Sequence, residues 1–307
     1  MLNAPQYPFM RIALIAGVLT VIACVIIGIY VLQYEFLRNA LIAGFLAAIA
    51  CGIIGTYVVV KKMVSVSGAI SHSSFGGIGL GYFVGMSPVL GALFFTIASA
   101  LGMGLVIKRT RLPEDTAIGI LWAMGMAIGI IFIGLTPGYA PDLFSYLFGN
   151  ILAVPFSDIV LMIILDTIIV AIVIALYKEF LTVSFDEEFG TVTGVPVEAL
   201  YLLMLCMIAL TVVVLIRVVG IILVIALLTI PAALARQFTH DLKKMMLLSI
   251  VFGALLSFGG LWLSYELDLS SGATIILLSG TILLVTLGLS RLRRRARIHE
   301  NPPNSAA

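Results

Sequence analysis

The chain's seventeen lysines and arginines punctuate about ten apolar segments, and fifteen of them fall on one side when those segments alternate across a layer. A segment needs roughly 20 apolar residues to cross a hydrocarbon core of about 30 Å. Runs of that kind occur near 11–32, 39–60, 67–85, 87–107, 116–135, 156–177, 197–216, 218–235, 245–263 and 270–290. Set the cluster Arg291, Arg293, Arg294, Arg295 and Arg297 in the cytoplasm and alternate backwards. Lys61, Lys62, Lys108, Arg109, Arg111, Lys178, Arg236, Lys243, Lys244 and Arg11 then join it, leaving Arg38 and Arg217 outside. Lys/Arg excess marks cytoplasmic loops. The sequence therefore predicts an all-α polytopic transmembrane helical bundle in the cell membrane, with both termini inside. Hydrophobic residues make up 62% of the chain and charged ones only 10%, which excludes an ordinary soluble domain.

A net charge of +2 on such a chain is no sign of nucleic-acid binding. The basic C-terminal run reads as an anchor against anionic headgroups. Cys24, Cys51 and Cys206 sit inside apolar runs, at spacings that suit neither a disulfide framework nor a zinc knuckle. The first apolar run is too long for a signal-peptide core and is read as a retained span. One transmembrane domain is expected over 1–292, with a polar cytoplasmic segment at 178–198. Residues 293–307 are expected to form a disordered tail.

Glycine is abundant, at 29 residues. Gly76, Gly77, Gly79 and Gly81 crowd one span, and Gly125 and Gly129 form a small-xxx-small pair, the pattern that lets membrane helices approach closely. Between Val197 and Ala235 only Arg217 interrupts some 39 apolar residues, about 58 Å if helical. The chain must turn near Arg217-Val218-Val219-Gly220, as a tight external turn or as a break inside the protein.

His72 lies ten residues past Lys62, about 15 Å into its span at the helical rise. Ionisable side chains at mid-membrane are costly and point to function, and neutral imidazole is a good ligand for zinc and similar metals. Two readings share the residue equally: a metal-path ligand beside Ser71, or an imidazole bonded to the hydroxyls of Ser71, Ser73 and Ser74. Asp166 is the other deep charge. It could join a cation pathway, sit protonated against a neighbouring backbone, or be compensated by Arg217.

The segment Ser184-Phe185-Asp186-Glu187-Glu188-Phe189-Gly190 is unusually well specified. Ser184 with Glu187 has the form of a capping box. Asp186, Glu187 and Glu188 complement the positive end of a helix dipole. Gly194 and then Pro196 supply a stop signal. Phe185 and Phe189, four apart, are expected on one face of a short helix. That face is either a plug for a partner's cleft or an interfacial surface dipping into lipid. No G-x-x-x-x-G-K-[ST] occurs, so the chain has no P-loop. Three histidines, two of them (His240 and His299) in polar segments, supply no nucleophile–base pair. The chain is not expected to be an enzyme.

From about Phe36 to Leu289 these segments resemble, in order, the permeases of metal-type ABC importers, which import zinc, manganese or iron(II). The resemblance rests on Gly55-Thr56-Tyr57-Val58-Val59-Val60-Lys61-Lys62-Met63 leading to Ser71-His72, on Asp115-Thr116-Ala117-Ile118-Gly119-Ile120, and on the run from Asp142 to Leu152. Phe185 to Phe189 with Gly194-Val195-Pro196, then Arg217-Val218-Val219-Gly220, Ile230-Pro231-Ala232-Ala233 and Ser271-Gly272-Ala273-Thr274, complete the series.

The resemblance implies a permease that pairs with a second copy and with two P-loop ATPase subunits, fed by an extracytoplasmic metal-binding protein. ATP would be bound by the partner, and this chain would hold no cofactor. Phe185, Asp186, Glu187, Glu188, Phe189 and Gly194 match the segment that docks the ATPase, and His72 matches the family's membrane histidine. Many members carry Asp four residues before that histidine; here the position is Gly68, so a carboxylate ligand is lost. The first span, 11–32, is an addition to the commoner pattern. Zinc or manganese is the expected cargo. The rivals are a permease for a chelate such as a siderophore or cobalamin, a secondary transporter using Asp166, and a purely structural membrane protein.

Overall fold

The computed structural model describes residues 34–137, 143–149, 151–216 and 218–300, and every regular element among them is helical. The long helices are α1 (Glu35–Val60), α2 (Val64–Val84), α3 (Pro88–Arg109) and α4 (Glu114–Leu135). A short α5 (Leu143–Phe148) and a 3₁₀ turn (Ile151–Ala153) lead into α6 (Phe156–Ala175). Two further short helices, α7 (Tyr177–Phe185) and α8 (Glu187–Val192), precede α9 (Val197–Ile216), α10 (Gly220–Phe238), α11 (Leu242–Leu267) and α12 (Ser271–Glu300). Eight of these helices (α1, α3, α4, α6 and α9 to α12) are long and apolar enough to cross a membrane. The ninth predicted span is present as the 21-residue α2, but its five serines and five glycines keep it out of that group. The predicted first span 11–32, with Arg11 and Cys24, lies outside the described residues, as does Arg217.

Helices apolar on every side belong in a bundle's centre. Accordingly α1 and α9 are mostly buried, while α4 and α12 leave broad apolar faces exposed. One layer sets α2 against α3 and α4, another sets α1 against α6, α10 and α11, and α9 lies between the two. The glycine-rich faces do what their spacing predicts. A Cβ on Gly125 would stand 2.6 Å from the Ser73 Cα, and one on Gly129 2.5 Å from the Phe75 carbonyl oxygen. Backbones at that separation gain close dispersion contacts without any hydrophobic driving force.

The apolar run 197–235 breaks inside the protein. Val218 and Val219 are each 1% exposed, their N–H groups both donate to the Leu215 carbonyl, and Gly220 adopts φ +78° to redirect the chain. That left-handed residue packs against Gly149, itself at φ +67°, and Gly272 abuts the Phe148 carbonyl from the start of α12. Three separated glycines thus form one junction at this end of the bundle. At the other end of the sequence α12 continues helically to Glu300, past Leu292, where the tail is expected to begin.

The basic connections gather at the opposite end. The Lys61 ammonium meets Val183 and Glu187, Lys108 lies over the Tyr201 ring, Lys243 lies over the Tyr177 ring, and an Arg236 guanidinium N–H donates to the Val59 carbonyl. Four of the fifteen residues that alternation places on one side are thus found among the connections at this end.

Candidate functional site

Two sets of residues carry chemistry: a polar stripe within the bundle and a knob at its basic end. On α2, Ser67, Ser71, Ser73 and Ser74 are all buried. Their hydroxyls are all committed to backbone carbonyls. Ser71 donates to the Ser67 carbonyl at 2.8 Å, Ser74 to the Ser71 carbonyl, and Ser73 to the Leu121 carbonyl on α4 at 3.3 Å. None goes to His72. Its Nδ1 is buried and has no hydrogen-bond partner, so the serine-bonded reading of this histidine fails on geometry. What holds the ring instead is Trp122 of α4, stacked on it with centroids 4.3 Å apart and planes 17° from parallel. Nothing local in the sequence marks Trp122, because the pairing depends on how α2 and α4 register.

Asp166 sits on α6, 5% exposed, with both carboxylate oxygens buried and without hydrogen-bond partners. It shares the buried face of α6 with Met162 and Ile169 of the packed core, and no hydrogen bond or ring contact links it to His72. Its suggested compensation by Arg217 falls on a residue outside the described ones. Among the described residues no group of three or more His, Cys, Asp or Glu side chains could hold a metal ion.

At the basic end the knob differs from the single helix expected. The chain forms two helices, α7 and α8, broken at Asp186, so Phe185 ends one and Phe189 lies in the next. The cap is not the Ser184/Glu187 box. Asp186, in an extended conformation, accepts the Phe189 N–H at 2.8 Å, while the Ser184 hydroxyl is buried without a partner. An Asp whose carboxylate bonds the N–H three residues on is itself a strong cap, and it sits where it complements the dipole of α8. The stop signal acts as predicted: Gly194 takes φ +81°, Gly194 N–H donates to Thr191 and Val195 N–H to Gly190, which is the Schellman arrangement.

Both rings point away from the protein, Phe185 62% and Phe189 59% exposed. Glu187 and Glu188 flank a cleft of about 760 Å³ that runs to Lys108 and the first turn of α9. The knob is nevertheless tied firmly to the bundle. The Lys61 side chain, only 9% exposed, donates to the Val183 carbonyl at 2.8 Å and pairs with Glu187. Phe180 packs on Tyr57 of α1 with ring centroids 5.5 Å apart. Charge counting places Lys61 at a boundary and goes no further; its role as a tether comes from the structure.

A polytopic helical bundle with a polar internal stripe and an exposed aromatic knob is the build of a transport permease rather than of an enzyme. The chain belongs to the ABC 3 transport family, whose model matches residues 33–290. It is 46% identical over 291 residues to an uncharacterized membrane protein of Synechocystis sp., covering 95% of this chain and 94% of that one. It is 39% identical over 227 residues to the manganese transport system membrane protein MntC of Listeria monocytogenes, 74% of this chain and 81% of that one. Among solved structures it is similar to PsaBC from Streptococcus pneumoniae in complex with Fab, with a TM-score of 0.77, 33% identity, and coverage of 86% of this chain and 94% of the other. The chain is thus the membrane-spanning, non-catalytic component of an ABC transporter.

Proposed function

We propose that this permease imports divalent metal ions, manganese or zinc, with ATP hydrolysed by separate P-loop subunits. The observation that carries the reading is the family match across nearly the whole described chain, joined to a manganese-transport relative and to a similar solved structure. The working assembly is two copies of this chain, two ATPase subunits and an extracytoplasmic metal-binding protein, with both termini in the cytoplasm. Phe185 and Phe189, exposed on a knob that Lys61 and Phe180 hold to the bundle, supply the surface that an ATPase cleft grips. His72 supplies a neutral nitrogen to a passing cation at mid-membrane, with Ser71 buried in the same stripe.

In proteoliposomes holding the permease with its ATPase and binding protein, ATP hydrolysis should rise with manganese or zinc, and the metal should accumulate. A wild-type complex that no first-row divalent ion stimulates overturns the reading. Competition between free zinc and a zinc chelate separates ion from chelate import. Phe185→Ala with Phe189→Ala should leave the bundle folded and uncouple hydrolysis from uptake.

A second reading draws on Asp166, whose buried carboxylate oxygens have no partner: a transporter in which this residue carries the coupling ion. It requires full uptake without any ATPase and loss of that uptake in Asp166→Asn.

A further inference from the structure

His72 departs from the way a functional imidazole is usually held. A ligating histidine ordinarily gives its second nitrogen to a carboxylate or carbonyl, which fixes the ring's orientation and tautomer. Here Nδ1 is buried with no partner, and the neighbouring serine hydroxyls are spent on their own helix or on Leu121. The ring is held by its face, with Trp122 lying parallel 4.3 Å away.

That indole covers more than the imidazole. Gly68 is one turn before His72 on α2, and a Cβ there would stand 3.5 Å from Trp122 Cζ3, 3.8 Å from its Cη2 and 3.8 Å from Ile225 Cδ1. A methyl group just fits; anything longer meets the ring. Trp122 therefore spans positions 68 and 72 of α2 at once. Its own place is fixed by the close α2–α4 contact beside it, where Ser73 donates to the Leu121 carbonyl and Gly125 admits the Ser73 backbone.

Resting on the metal-importer reading of His72, we propose that Trp122 is a positioning residue: it orients the His72 imidazole toward the cation by stacking, and Gly68 is the gap this arrangement needs. Stacking constrains the ring plane and leaves both nitrogens free of protein acceptors. The site consequently presents one oriented imidazole rather than an imidazole–carboxylate pair.

The test uses the permease–ATPase complex with its binding protein in proteoliposomes, measuring the KM and kcat of manganese and zinc uptake. Removing an orienting partner lowers metal affinity about 10- to 100-fold. Trp122→Ala should raise KM by about that factor with a smaller change in kcat, while Trp122→Phe, which keeps a stacking face, should stay close to wild type. Gly68→Asp alone should be as damaging as Trp122→Ala, because its carboxylate must displace the indole. In the Trp122→Ala background the same Gly68→Asp should restore uptake and favour manganese over zinc, since a carboxylate suits the harder ion.

A second readout does not depend on transport. The chain has two tryptophans, so Trp262→Phe leaves Trp122 as the lone indole. Its emission should change saturably with zinc and lose that response in His72→Gln. Equal losses in Trp122→Ala and Trp122→Phe, or an unchanged KM in Trp122→Ala while wild type transports, overturn the role of Trp122 alone. A wild-type complex that takes up no metal overturns the importer reading and this role together.

Discussion

Lys61→Met tests how the knob is bound to the bundle. Methionine keeps the aliphatic stem and its packing but removes the ammonium, which makes two contacts of different worth. The donation to the Val183 carbonyl at 2.8 Å comes from a side chain only 9% exposed. A hydrogen bond from a charged donor is worth about 1.5–3 kcal/mol, and removing it leaves a carbonyl short of a partner. The pairing with Glu187 is worth less, because that carboxylate is 46% exposed and solvent screens such pairs to about 0.2–1 kcal/mol. A loss of about 2–3 kcal/mol corresponds to a roughly 30- to 150-fold shift between docked and released knob. Hydrogen exchange reads this directly: protection of the Gly190 and Val195 amides, both bonded within the knob, should fall by that factor, while amides of α9 keep theirs. Glu187→Gln should cost much less, and only its effect should fade in high salt. Metal uptake per ATP should drop in Lys61→Met with the ATPase still active. Equal effects of the two substitutions, or unchanged protection in Lys61→Met, would refute the reasoning.

The remaining predictions concern backbone fit and the buried carboxylate. Gly194→Ala forces a side chain into φ +81° and should destabilise α8 by about 1–2 kcal/mol, seen as faster local exchange. Lys62 occupies the same kind of helix-ending position at φ 59°, so Lys62→Gly should stabilise the fold by about 1 kcal/mol, read as a higher unfolding midpoint in detergent. Gly129→Val inserts a branched side chain where even a Cβ meets the Phe75 carbonyl at 2.5 Å; separation of α2 from α4 should show as a lower midpoint and loss of the His72–Trp122 stack in Trp122 emission. Asp166→Leu removes a buried group without hydrogen-bond partners, whose burial is unfavourable by roughly 1–3 kcal/mol. The variant should be at least as stable as wild type, and a lowered midpoint would mean that Asp166 has a structural partner.

The spans were legible because a bilayer makes length and charge decisive. Nine of the ten predicted segments coincide with helices, and the basic connections cluster at one end as alternation requires. The turn near Val218-Val219-Gly220 was forced by length alone, but its burial was not legible. It depends on residues distant in sequence: Gly149 meets Gly220 backbone to backbone, and Gly272 meets the Phe148 and Val219 carbonyls. The knob was misread for a local reason. Ser184 and Asp186 can both cap, and the capping-box pattern favours the first; an extended Asp186 ends α7 and starts α8, so the second prevails.

For the polar stripe the limit lies in what a single helix can say. Depth singles out His72, and helical spacing places Gly68 one turn from it, yet neither shows what faces them. The answer comes from α4, some fifty residues on, brought in by glycines at 125 and 129 that were legible only as packing residues. Packing and the proposed function draw on the same feature here. Gly125 lets the α4 backbone approach Ser73 closely, one turn from where Trp122 stacks on His72. Helix-packing glycines away from His72 are therefore expected to tune the proposed cation site as strongly as polar residues beside it.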